Sequence, residues 1–108
     1  MRASTLNGCA FCLDPHGREA TQAGETSERP FTIAAWPESP FYTARECAAL
    51  LWTDAITNIQ TGHAPHAAHA AYTEPLARFT EAEAVQLTHA IANINVWNRL
   101  AIAFRPHV

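Results

Sequence analysis

Apolar side chains recur three and four positions apart through most of the chain, and no stretch stands out as a strand candidate, so the pattern predicts an all-α protein. Alanine, the best helix former, is the commonest residue. A first helix is expected over residues 7–23, with Asn7 as its N-cap and Gly24 as the stop that follows it. A short helical turn is expected over 28–35. Beyond it, Trp36, Pro37, Ser39 and Pro40 predict a rigid loop in which helix cannot continue.

Thr43 and Glu46 stand at the spacing of a capping box, and Ala48, Leu51, Trp52, Ala55, Ile56 and Ile59 follow on one helical face. This predicts a helix over 44–59, stopped at Thr61-Gly62. The stretch 63–79 is alanine-rich and permits helix, with a break expected near Thr73 because Pro75 cannot donate a backbone hydrogen bond. A second capping box, Thr80 with Glu83, opens a last helix whose Val85, Leu87, Ile91, Ile94, Trp97, Ala101 and Ile102 leave little polar surface. Such a helix belongs at the centre of a bundle.

Composition narrows the field. A chain of 108 residues has room for one domain, 1–108, and 48% hydrophobic against 16% charged residues is too apolar for a disordered segment. Seven Lys+Arg against ten Asp+Glu, with lysine absent, leave no basic footprint for nucleic acid. The apolar stretch 91–104 is interrupted by Asn93, Asn95, Asn98 and Arg99, so no membrane span is expected. Ser4, Thr5, Asn7 and Gly8 occupy the place of a signal peptide's apolar core. Three cysteines, an odd number, do not make a secreted disulfide framework, and the cytoplasm is the expected location.

The chemistry concentrates in Cys9-Ala10-Phe11-Cys12-Leu13-Asp14-Pro15-His16. Cys9, Cys12 and His16 stand at i, i+3 and i+7 and share one face if the segment is helical. Two cysteines so spaced near a helix start can close a disulfide, and the free N–H groups there stabilise a thiolate. His16, one turn past Cys12, can take the thiol proton, and Glu19 can orient His16. Two plainer readings stay open. In one, Cys9, Cys12 and His16 with Cys47 supply four zinc ligands, although the second ligand pair of a strong zinc motif is missing; in the other, the two cysteines simply pack.

Arg2-Ala3-Ser4, then Asn7-Gly8-Cys9-Ala10-Phe11-Cys12-Leu13-Asp14 with His16 and Arg18-Glu19-Ala20, resembles the alkylhydroperoxidase AhpD / carboxymuconolactone decarboxylase family. The resemblance continues through Ala35-Trp36, Phe41-Tyr42-Thr43, Arg45-Glu46 and residues 93–101. It implies an AhpD-like helical bundle that assembles as a homo-oligomer, trimer or hexamer, without a cofactor or metal. It also implies a dithiol that reduces a peroxide substrate and is re-reduced by an external dithiol. Carried over by position, Cys12 attacks the peroxide, Cys9 resolves the sulfenic acid and His16 relays the proton. The residues alone leave the order open, because the helix terminus favours thiolate at Cys9 while His16 lies nearer Cys12.

The sequence departs from the family pattern in several places. The relay glutamate of the family lies upstream of the first cysteine, and this chain begins too late to contain it, so the family's opening helix is expected to be missing. Phe11 stands where members often have tyrosine, and Ala10 where the namesake branch has histidine, which predicts a slow peroxidase. Pro15 after Asp14 offers a different start, with Asp14 as N-cap and the cysteines in the preceding turn. The alternatives are a weak family member acting as an assembly partner, or a lactone enzyme of the decarboxylase type, which generally lacks the cysteine pair.

Elsewhere, His63, His66 and His69 read as a solvated face rather than a metal site, and Cys47 as an ordinary packed thiol. Asn95 and Asn98 are expected to lock helices together or to line the site, and Trp36, Trp52 and Trp97 to anchor the core or an interface.

Overall fold

The computed structural model describes residues 1–62 and 75–105, and among these all regular structure is helical. In chain order the helices are α1 (Arg2–Asn7), α2 (Ala10–Gln22), α3 (Glu28–Thr32), α4 (Ala44–Thr57), α5 (Ile59–Gly62) and α6 (Glu81–Phe104), with a 3-10 segment, Ile33–Glu38, between α3 and α4. The expected break near Thr73 and the residues His63, His66 and His69 lie outside the described residues.

The largest correction falls at the start. Asn7 does not cap a helix over 7–23; it ends a separate helix, α1, and Gly8 follows at φ 66°. Glycine takes this left-handed conformation without a Cβ penalty, which turns the chain so that the Gly8 and Cys9 amides donate to the Thr5 and Ser4 carbonyls at 3.2 and 2.9 Å. Cys9 is therefore the N-cap residue of α2, and Cys12 lies in its first turn. The alternative start at Asp14-Pro15 is not adopted either: α2 runs straight through Pro15, and Asp14 pairs with Arg18 one turn on. Gly24 ends α2 as expected, at φ 94°.

Both capping boxes form. In α4 the Glu46 amide donates to Thr43 Oγ1 at 3.2 Å and the Thr43 amide to the Glu46 carboxylate at 2.8 Å; Thr80 and Glu83 repeat the pattern in α6 at 3.2 and 3.0 Å. The helix expected over 44–59 ends at Thr57, since Asn58 leaves helical geometry before the separate turn α5. The turn expected over 28–35 closes at Thr32. It then tightens into the 3-10 segment, which carries Trp36 and Pro37 where a loop was expected; proline at that position forfeits only its own N–H.

Helix α6 is central, packing against α4, α1 and α2. Among the described residues the buried apolar side chains are Ala3, Cys9, Cys12, Trp36, Ala48, Trp52 and Ile91, with Ser4, Thr57 and Asn98 beside them. Polar clasps join the elements around this core. The Arg2 guanidinium grips the Asp54 carboxylate through two N–H groups at 2.6 and 2.9 Å, and the Trp36 indole donates to the same carboxylate at 3.0 Å. The Trp52 indole donates to Thr88 at 2.8 Å, tying α4 to α6. Trp36 and Trp52 are thus core anchors, whereas Trp97 is not, being 58% exposed on α6.

Candidate active site at the start of helix α2

The left-handed turn at Gly8 delivers Cys9 to the start of α2, and one helical turn brings Cys12 back beside it. The two are joined as a disulfide, with Cα atoms 5.4 Å apart. The pair is deeply placed, Cys9 being 1% and Cys12 5% exposed.

What holds this corner is a partly buried amide network between α1 and α6, with Asn98 fully buried at its centre. The Asn7 side-chain amide donates to the Asn95 and Asn98 carbonyl oxygens, both at 2.9 Å. Asn98 donates in turn to Ser4 Oγ at 2.9 Å, and Asn95 to Thr57 Oγ1 at 3.1 Å and to the Ile91 carbonyl at 2.9 Å. Buried polar groups need such partners, and here they fasten the turn from which Cys9 emerges. Asn95 and Asn98 therefore lock helices, one of the two roles expected of them.

His16 follows Cys12 by four residues inside α2, so the two share a face. Its Nδ1 lies 2.9 Å from Glu19 Oε2, the orienting contact that the spacing predicts, and this leaves Nε2 as the nitrogen free to exchange a proton. Cys12 and His16 both line a cavity of about 460 Å³ between α2 and α6, together with Phe11, Pro15, Asn93 and Trp97. Cys9 does not line it. A larger cavity, about 670 Å³, lies between α2 and α3. Among the described residues it holds the Asp14–Arg18 pair but no cysteine or histidine, so the cavity beside Cys12 is the one with the dithiol chemistry.

The zinc set does not assemble. Among the described residues no three Cys, His, Asp or Glu side chains come together as metal ligands, and the Cys47 thiol instead points at the Tyr42 carbonyl oxygen, 3.9 Å away. Sequence reasoning missed Pro15 as part of the cavity wall, assigned Asn93 no role and gave Trp97 only a structural one. The available signal was the spacing of Ala90, Ile94, Trp97 and Ala101, which at i, i+4, i+7 and i+11 form one strip of α6, all of it on the cavity.

A profile of the carboxymuconolactone decarboxylase family matches residues 1–55, the half of the chain that carries Cys9, Cys12 and His16. This chain belongs to the carboxymuconolactone decarboxylase family. The kinship reaches past the matched half. The uncharacterized protein YdfG of Bacillus subtilis (strain 168) is 39% identical over 103 residues, which is 95% of this chain and 68% of that protein. A crystal structure from Agrobacterium tumefaciens superposes with a TM-score of 0.87 at 42% identity, over 98% of this chain and 70% of that one. That protein is described as of unknown function, with antioxidant defence protein AhpD as its proposed designation. The fold of this family member is accordingly the all-α AhpD-like bundle, and a CxxC pair opens its second helix.

Proposed function

We propose that the protein is a thiol–disulfide oxidoreductase that reduces hydroperoxides through Cys9 and Cys12. The observation that carries this reading is the placement of Cys12: it is bonded to Cys9, sits in the first turn of α2, and faces a cavity that it shares with an oriented histidine. The family kinship and the AhpD designation of the Agrobacterium protein support it.

In the reduced protein His16 Nε2 takes the Cys12 thiol proton, and the N–H groups of the first turn stabilise the thiolate that remains. Its sulfur attacks the terminal peroxide oxygen, the O–O bond breaks, and the departing alkoxide takes a proton from His16 to leave as the alcohol. Cys12 is now a sulfenic acid. The Cys9 thiolate displaces hydroxide from the Cys12 sulfur; with a proton this departs as water, and the disulfide remains. An external dithiol then attacks the disulfide, leaves as its own disulfide, and restores both thiols. Cys12 suits the attacking role because it reaches the cavity and Cys9 does not.

The same reading places the protein in a reducing compartment such as the cytoplasm, where a dithiol donor is at hand. It also makes the working form a homo-oligomer, a trimer or hexamer, supported by the apolar side chains that α6 leaves exposed.

The test is an intact-mass and peptide map of the reduced protein after brief exposure to one equivalent of cumene hydroperoxide. Loss of two hydrogens mapped to a Cys9–Cys12 disulfide, absent in Cys12→Ser and replaced by a trapped Cys12 sulfenic acid in Cys9→Ser, is the expected result. Unchanged mass with every thiol still titratable would reject the peroxidase reading and leave an inert assembly partner.

A further inference from the structure

The cavity beside Cys12 is far larger than the reacting O–O group requires. One water needs about 15 Å³ of such space, whereas this cavity offers about 460 Å³, within the range of small-ligand sites. Among the described residues its lining contains no aspartate, glutamate, lysine or arginine; the polar groups of that lining are His16, beside Cys12, and Asn93 across from it. The α6 side is the apolar strip Ala90, Ile94, Trp97 and Ala101, and the α2 side presents Phe11 and the rigid ring of Pro15.

Within this wall Trp97 stands apart from the other two tryptophans. Trp36 and Trp52 are each 8% exposed, and their indole N–H groups bond to Asp54 and Thr88 inside the bundle. Trp97 is 58% exposed and bounds the cavity, so its large apolar surface is held at the site rather than spent in the core. We infer that the α6 wall, with Trp97 as its principal member, is a specificity element that selects hydroperoxides by the size of an uncharged apolar tail. The inference rests on the peroxidase reading for the chemistry, and on the cavity alone for the selection. A bulky tail fills the space between Trp97 and Pro15 and holds its O–O group at Cys12. A peroxide without a tail gains nothing from that wall.

Two measurements keep the inference separate from the reading beneath it. The first is kcat/KM for cumene hydroperoxide and for hydrogen peroxide in the wild type and in Trp97→Ala and Ala90→Leu. Ala90 is exposed, so the leucine adds bulk to the same wall without entering the core. The cumene-to-hydrogen-peroxide ratio is expected to exceed ten in the wild type and to fall on the order of tenfold in each variant. A ratio that both variants leave unchanged would overturn the inference while the peroxidase reading stood. The second measurement needs no turnover: the rate at which iodoacetamide alkylates Cys12 in the reduced protein, with and without cumyl alcohol. Protection by the alcohol that weakens in both variants supports the wall, even if no peroxide is reduced. Absence of protection, or protection that ignores both substitutions, would overturn it.

Discussion

At the residue scale the site depends on a few short-range contacts and one buried amide. His16 and Glu19 are three residues apart, and their contact follows from helical geometry alone. Removing the proton donor with His16→Gln should slow disulfide formation by cumene hydroperoxide about a hundredfold, while oxidation by diamide, which uses no departing alkoxide, should stay within a few-fold. Equal loss with both oxidants would show that the substitution disturbs the dithiol itself. Asn98 presents a different problem. It is fully buried, accepts from Asn7 and donates to Ser4, so Asn98→Ala strands two polar partners as well as opening a void. A loss of about 2–4 kcal/mol is expected in urea unfolding. A loss below 0.5 kcal/mol, on the order of a surface change, would contradict the locking role.

At the element scale, helix ends decide where the chemistry sits. Gly8 serves as a left-handed stop; the same Asn-Gly pair is locally compatible with a helix start, which is why the spacing predicted one helix from Asn7. The choice was made by the Asn7 side chain, which finds its partners on α6, 88 and 91 residues away. The α4 end was legible because its capping box is local. Glu46 serves there and also pairs with Arg29 of α3 at 2.6 Å, and the Arg29 guanidinium, with the Thr43 amide, holds its carboxyl below the ordinary value of 4.5. A lowered folded-state pKa means that the stabilisation is fully present above 4.5 and is lost as pH falls through the lower folded value. Wild type should therefore exceed Glu46→Gln in stability at pH 7, by no more than about 1 kcal/mol because the pair is partly solvated, and the gap should close in strong acid. A gap that persists there, in a pH series of melting curves, would assign it to packing instead.

At the scale of the whole molecule, the balance between core and surface is unusual. Among the described residues few large aliphatic side chains are buried, while Val85, Val96 and Leu100 lie exposed on one side of α6. Apolar surface of this kind calls for a partner, and the proposed homo-oligomer would cover it with copies of the same chain. Light scattering should give a mass above that of one chain, and Val96→Arg with Leu100→Arg should reduce it to a single chain. A wild-type protein that is monomeric at micromolar concentration would remove the assembly from the proposal.

What the sequence determined by itself was whatever depends on neighbours within a turn or two: the helical class, both capping boxes, the Gly24 stop, and the closeness of Cys9, Cys12, His16 and Glu19. These follow from periodicity and local hydrogen bonding, which need no knowledge of the rest of the chain. The tertiary structure alone decided that α1 is separate, that Asn7, Asn95 and Asn98 join across the bundle, and that Trp97 bounds a cavity instead of filling the core. It also decided that Cys12, and not Cys9, reaches that cavity. Such outcomes depend on side chains brought together from distant segments, and an asparagine or tryptophan on a helix carries no local mark of what the opposite helix will present to it.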